Sequence, residues 1–239
     1  MILAGHQPNF MPYLGFFDKM LQSDIFILVD HIQYEKKGWQ NRNRVRTAHG
    51  GDGWTWLTVP VYSSGKYKQP IIEVEICNQE EWGKKMWDTI YYAYKKAPCF
   101  DEYADYFEYS LTKEKWEKLM DLNIDLIGFL RDALHIEKPL VNSSDYEFKG
   151  EKTPLLIEMT EALGCDTYMS GCGPGAKRYV DERMFEAAGL NHVFQEFEHP
   201  EYRQVFKPFV PNMAAIDLLF NYGEEAGEIL RGEKKWIML

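Results

Sequence analysis

Short apolar runs and helically spaced apolar positions alternate at both ends of this chain. Met1-Ile2-Leu3-Ala4-Gly5 is apolar throughout, and Leu14, Phe17, Met20 and Leu21 then recur at helical spacing between Pro12 and Gln22. Ile25 to Val29 is again uniformly apolar, the pattern of a parallel strand covered on both faces. Leu140–Ser143, Cys165–Ser170 and His192–Phe197 read as further strands. Between them lie a helical segment from Thr153 to Leu163, stopped by Gly164, and another ending at Ala188, capped by Gly189. Met213–Phe220 and Glu224–Leu230 read as closing helices. About five buried strands alternating with helices predict an α/β fold with a mainly parallel, Rossmann-like three-layer sheet.

The middle of the chain breaks this rhythm. Trp39–Thr47, Trp54–Tyr62 and Ile71–Ile76 alternate with period two around glycine-rich and Ser-Ser-Gly turns, which predicts an antiparallel meander of three strands. Helical periodicity then returns with Trp82, Met86, Ile90 and Tyr94, ended by Ala97-Pro98. A second helix is expected from Phe100 to Tyr109. Thr112 would cap a third carrying Trp116, Leu119, Leu122, Leu126 and Leu130. The expected organisation is one domain over residues 1–239, with a core of 1–30 and 136–239 and an insertion of 31–135, meander and helices, at the mouth of a site.

The first strand–loop–helix corner carries the densest candidate chemistry. His6, Gln7 and Asn9 crowd a loop where backbone N–H groups and a helix N-terminus favour anions. Helix capping alone is a blander use of these residues, although three bulky hydrogen-bonders in four positions exceed what capping requires. Lys19 would add positive charge, and Asp30 ends the second strand, where doubly wound folds often meet a ribose hydroxyl. On the expected ribbon Asn41, Asn43 and Val45 share one face, with Gln40, Arg42 and Arg44 on the other. An ordinary charged edge strand explains the arginines, but not Trp39, Gln40 and the asparagines together. The run Ser170-Gly171-Cys172-Gly173-Pro174-Gly175-Ala176-Lys177 lacks P-loop spacing, yet its glycines allow close backbone approach, and Ser170 and Lys177 could meet a phosphate or carboxylate.

Composition narrows the classes. Apolar residues at 45% and aromatics at 15% exclude a disordered chain. A net charge of −10 argues against a nucleic-acid polymer as partner. Lys36, Lys37, Arg42, Arg44 and Arg46 nonetheless fall within eleven residues, suiting either one small anion or a solvated basic face. Four cysteines without a CxxC pair, and no zinc-spaced histidines, give no metal expectation. No apolar run approaches a membrane span and no signal peptide is seen, so a cytoplasmic protein with reduced thiols is expected.

Taken together, Gly5–Lys19, Asp30-His31-Ile32-Gln33-Tyr34 and Trp39-Gln40-Asn41-Arg42-Asn43 resemble the WbqC-like protein family. The resemblance continues through Trp56–Val61, Ala97-Pro98, Tyr168–Gly171, Tyr179-Val180-Asp181 and Phe185–Gly189. Members occur in bacterial and archaeal loci for surface-polysaccharide synthesis, O-antigen included. That pathway, combined with the chemistry of the first loop, gives as first expectation a transferase that attaches a small acyl or aminoacyl group to a nucleotide- or lipid-linked amino sugar. His6, Asp30 and Asn41 would then be catalytic, with His6 as general base or oxyanion donor and the other two orienting the acceptor. Gln7, Asn9, Lys19, Gln33, Tyr34, Trp39, Gln40, Arg42, Asn43, Arg44, Ser170, Gly171, Gly173, Lys177 and Tyr179 would hold substrate. The Gly-His-Gln-Pro run also looks like the opening of the cysteine-adding enzyme of bacillithiol synthesis, and more distantly like HxGH nucleotidyltransferases. That likeness implies nucleotidyl or adenylyl transfer, with ATP or a nucleotide-activated donor. A non-catalytic sugar-nucleotide binding protein is the third expectation.

Overall fold

In the computed structural model, which describes residues 1–48, 51–173, 178 and 180–232, the elements follow the chain as β1 (Ile2–His6), α1 (Leu14–Gln22), β2 (Ile25–Leu28), β3 (Arg42–Arg46) and β4 (Trp54–Thr58). Next come α2 (Trp82–Tyr94), α3 (Phe100–Thr112), α4 (Leu119–Ala133), β5 (Leu140–Asn142) and α5 (Thr153–Ala162). Then β6 (Thr167–Ser170), α6 (Glu182–Ala187), β7 (Asn191–Phe194), α7 (Ile216–Tyr222) and α8 (Ala226–Leu230) complete the described helices and strands. They divide into two units: one of residues 1–7, 15–31 and 137–198, the other of residues 8–14, 32–136 and 199 onward.

The first unit holds a five-stranded, wholly parallel sheet in the order β5-β2-β1-β6-β7. Its apolar strand residues have the expected burial: Leu3, Ala4, Phe26, Ile27 and Leu28 are sealed. Helix α1 presents Phe16, Phe17 and Met20 inward, and the Phe16 ring meets Phe26 edge-on at 5.1 Å. Gly164 and Gly189 end their helices at φ +65° and +70°, conformations that L side chains adopt at a cost. Asp181 caps α6 by accepting from the Arg183 amide. The strand order reverses at β1: β2 and β5 follow on one side, β6 and β7 on the other. The carboxyl ends of β1 and β6 therefore border the crevice where open parallel sheets take their ligands.

The second unit contains the antiparallel pair β3–β4, with Arg44 opposite Trp56 and Arg46 opposite Trp54. The expected third strand is not formed. Ile71–Glu73 is a single 3-10 turn instead, and residues on either side make isolated bridges, Gln33 to Pro70, Val61 to Ile76 and Glu75 to Lys118. Ile71 and Val74 are both fully buried, and a spacing of three puts two side chains on one side of a tight turn but on opposite faces of a strand. Helix α4 starts at Leu119, later than Thr112, because Glu117–Leu119 bonds to Val74–Ile76 through Ile76 N to Glu117 O and Leu119 N to Val74 O. Helices α2 and α3 pack at Gly83, where an added Cβ would lie 1.8 Å from the Leu111 carbonyl oxygen. At the end of β3 the buried Arg46 guanidinium donates to the carbonyls of Gly53, Phe206 and Pro208. Asp217, equally buried, accepts from Tyr202 at 2.8 Å and Gln204 at 2.7 Å.

Candidate functional site

The residues expected to carry the chemistry fall into two clusters, one in each unit. In the first, Lys19 rises from α1 to the carboxyl end of β1, where its ammonium donates to the Gly5 carbonyl at 2.6 Å. It is 4% exposed, and desolvation pushes its pKa down to about 8, with Cys172 pulling the other way. Across the crevice, a Cβ built on Gly171 would stand 3.8 Å from Lys19 Nζ, so glycine leaves the backbone after β6 close to the ammonium. Among the described residues the Gly5 carbonyl is the one acceptor Lys19 engages, which leaves donor capacity at a positive centre.

His6 stands beside this charge, partly exposed, its ring edge-on to Phe16 at 5.1 Å. Desolvation first and the Lys19 charge second hold its pKa down at about 3, so the imidazole is neutral at physiological pH. Nδ1 lies 2.9 Å from the Gln7 carbonyl. A carbonyl oxygen can only accept, so Nδ1 bears the proton and Nε2 carries the lone pair. Gly5 is required for a different reason: a Cβ there would meet the Tyr168 hydroxyl at 2.8 Å and Ile27 Cγ2 at 3.1 Å.

Successive strand residues face opposite ways, so Gly5 and Tyr168 belong to one face of the sheet while His6 and α1 belong to the other. Ser170 goes with Tyr168. Its hydroxyl is 2.8 Å from His192 Nε2, and His192 packs on Phe185 of α6. Ser170 therefore pins β6 to β7 on the face away from Lys19, and it is Gly171 that borders the ammonium. Gly173 is exposed, and a Cβ built there would find open space among the described residues. Lys177 and Tyr179 lie outside the described residues.

Asp30 is 1% exposed. Its carboxylate accepts from Ser143 Oγ at 2.8 Å, Ser144 N at 2.9 Å and Ser144 Oγ at 2.6 Å, while its own amide donates to Ser143 Oγ. These bonds fasten the end of β2 to the turn after β5. Oδ1 takes two of the three accepted bonds and Oδ2 one, which leaves acceptor capacity on Oδ2 for the ribose-binding or catalytic use expected of Asp30.

The second cluster joins residues 8–11 to 39–43 within the second unit. Asn43 donates to Met11 O at 2.6 Å and accepts from Arg44 N at 2.8 Å, and Asn41 donates to Val59 O at 2.8 Å. Phe10 N donates to Trp39 O, and Asn123 donates to the carbonyls of both Pro8 and Gln40 at 2.8 Å. Asn9, Gln40, Asn41 and Asn43 are buried. Asn41 and Asn43 brace the main chain through amide N–H groups, while Asn9 Oδ1 and Asn41 Oδ1 are buried with no hydrogen-bond partner among the described residues, so Asn41 keeps an acceptor for the orienting role expected of it. Asn123 was not singled out by sequence, because it interrupts an apolar helix face; one asparagine among leucines was the signal. Gln33 is exposed, whereas Tyr34 is buried with its phenol pKa raised by desolvation and opposed by Arg42.

On the ribbon's outer face the arginines and tryptophans interleave. Arg42 lies over the Trp56 ring at 4.2 Å, and Arg44 lies 5.0 Å from Trp54 and 5.5 Å from Trp39. Among the described residues no group of histidines, cysteines and carboxylates could hold a metal ion, and no helix is long and apolar enough to cross a membrane.

Comparison with known proteins adds a family. The model of the WbqC-like protein family matches residues 7–229. The chain belongs to the WbqC-like protein family. A relative in Mycobacterium tuberculosis, the uncharacterized protein Rv1507c, is 35% identical over 226 residues, covering 94% of this chain and 95% of that one. No solved structure matches. The WbqC-like match takes in Lys19, the Gly171 loop and the whole ribbon, and begins one residue after His6.

Proposed function

We propose that this WbqC-like protein is a transferase that binds a phosphate-bearing amino sugar, nucleotide- or lipid-linked, and attaches a small acyl or aminoacyl group to its amine. One observation carries the reading: a buried, incompletely bonded ammonium, Lys19, at the switch point between β1 and β6, with a neutral imidazole beside it. A preorganised positive centre in a desolvated crevice suits a phosphate oxygen or a developing oxyanion. His6 Nε2 is the acceptor for an N–H or O–H of the incoming nucleophile. In the free protein its pKa of about 3 makes it a weak base. A phosphate seated on Lys19 cancels the second cause of that depression, so substrate binding itself raises the basicity of His6.

Nucleotidyl or adenylyl transfer would use the same ammonium, and a non-catalytic sugar-nucleotide binder would need only the affinity. Three measurements separate these. Calorimetric titration with nucleoside diphosphate amino sugars gives binding that Lys19→Met abolishes. Incubation with acyl donors gives an acylated sugar by mass spectrometry, lost in His6→Ala. ATP–pyrophosphate exchange is absent on the acyl-transfer reading. Exchange without sugar acylation would replace that reading with adenylyl transfer, and binding without any turnover would replace it with the binding protein.

A further inference from the structure

The outer face of the β3–β4 ribbon has a use that the β1/β6 crevice does not supply. We propose that it is a separate binding surface for a short acidic saccharide, holding its carboxylate or phosphate on Arg42 and Arg44 and its ring against Trp39 and Trp56. The inference concerns other residues in the other unit and stands whether or not the crevice binds phosphate.

Charge is the first argument. Arg42 and Arg44 form no ion pair among the described residues; each gives one N–H to a main-chain carbonyl, of Lys37 and Asn212 respectively. Residues 36–46 contain five cationic side chains and no carboxylate, in a chain whose net charge is −10. Arg46 shares the face of Arg42 and Arg44 but is buried, held by the Phe206 and Pro208 carbonyls, so Lys36, Lys37, Arg42 and Arg44 are the accessible charges. The indoles orient the two guanidiniums side by side, and their planar forks match carboxylate and phosphate oxygens.

Exposure and rigidity supply the second. Trp39 is 44% and Trp56 37% exposed, large values for indoles, which normally bury most of their area. The two rings meet each other at 5.5 Å and Trp56 meets Trp54 edge-on at 5.3 Å, so their exposed area forms one aromatic patch beside cationic N–H groups. That combination fits the C–H face of a sugar with an acidic substituent. The ribbon is also held still: Asn43 ties it to Met11, Ala214 N donates to Arg44 O at 2.8 Å, and Arg46 anchors its end. A fixed platform keeps the entropy cost of binding low.

A polyanion is the competing occupant. Repulsion from the remaining charge grows with polymer length, while one or two charges are neutralised locally by the two arginines. The surface therefore selects a short ligand.

The test is tryptophan-fluorescence and calorimetric titration of the full chain with a hexuronate trisaccharide, its neutral hexose counterpart and an oligothymidylate of similar length. Binding of the acidic sugar at least tenfold tighter than the neutral one, weakened at least tenfold by Arg42→Ala/Arg44→Ala and by Trp39→Ala, supports the proposal. Lys19→Met must leave it unchanged, which separates this surface from the crevice. Circular dichroism establishes that the variants are folded, and Arg42→Lys/Arg44→Lys, which keeps the charge but loses the fork, serves if the alanine pair is not. Equal affinity for the neutral sugar, preference for the oligothymidylate, or no binding by the folded wild type overturns it.

Discussion

Replacing Lys19 with methionine should make the protein more stable and less able to bind phosphate at the same time. Methionine keeps the length of the side chain and removes a charge that is 4% exposed. The fall in the lysine pKa from 10.5 to about 8 corresponds to roughly 3 kcal/mol of penalty for holding the charged form at neutral pH. Against this stands loss of the charge-assisted hydrogen bond from the ammonium to Gly5 O, about 2 kcal/mol. The net gain is about 1 kcal/mol, or about 2–4 °C in midpoint for a chain of this size. The gain has a signature in pH. Between pH 8 and 10.5 the unfolded lysine carries a proton and the folded one does not, so wild-type stability rises through that window. The advantage of Lys19→Met is thus full below pH 8 and fades as pH climbs towards 10.5. Urea unfolding at pH 7 and at pH 10 measures it. A variant less stable than wild type at pH 7, or one whose advantage ignores pH, would refute the desolvated-ammonium reasoning.

Other outcomes follow from the same geometry. Gly5→Ala should cost about 1–3 kcal/mol by overpacking against Tyr168, and adding Tyr168→Phe should recover most of it; thermal unfolding of both tells, and equal loss in the double variant would contradict the contact. Asp30→Ala removes three charge-assisted bonds and should lower stability by about 3 kcal/mol or more, whereas an unchanged melting midpoint with lost ligand binding would show that Asp30 serves the ligand rather than the strand ends. Burial raises the Asp217 carboxyl pKa from 3.8 to about 6. The folded state therefore holds its proton more tightly than the unfolded one between those values, and this contribution to stability is lost as pH rises from 4 to 6. In Asp217→Asn that loss should disappear, so the difference in unfolding free energy between variant and wild type should grow with pH across the window.

The central strands were legible because buried parallel strands read as apolar runs, Ile25–Val29 above all, whereas the edge strands β5 and β7 are only partly covered and were placed by their alternation with helices. The helix stops at Gly164 and Gly189 were legible for a similar reason, since positive φ favours glycine. The third meander strand was misread because Ile71, Val74 and Ile76 fit a period-two window only in part; Ile71 and Val74 obey the spacing of a turn. At the site, residue type was visible but use was not. Asp30 ends a strand as a ribose-binding carboxylate would, yet two serines more than a hundred positions away bond its carboxylate. Ser170 and Gly171 are adjacent in sequence and fall on opposite sides of a pleated strand. Asn123 joins two distant loops through one amide, a role no local pattern announces. The pairing of Lys19 with the Gly5 carbonyl, which gives the crevice its charge, likewise exists only once α1 has packed against the sheet.

The central claim is that the β1/β6 crevice is an anion site built on Lys19. Calorimetric titration of a nucleoside diphosphate amino sugar into wild type and Lys19→Met at pH 7 tests it most directly. The account predicts saturable binding to wild type, weakening as pH passes 8 and the ammonium loses its proton, and binding at least tenfold weaker in the folded variant. Equal affinity in the two proteins would contradict it.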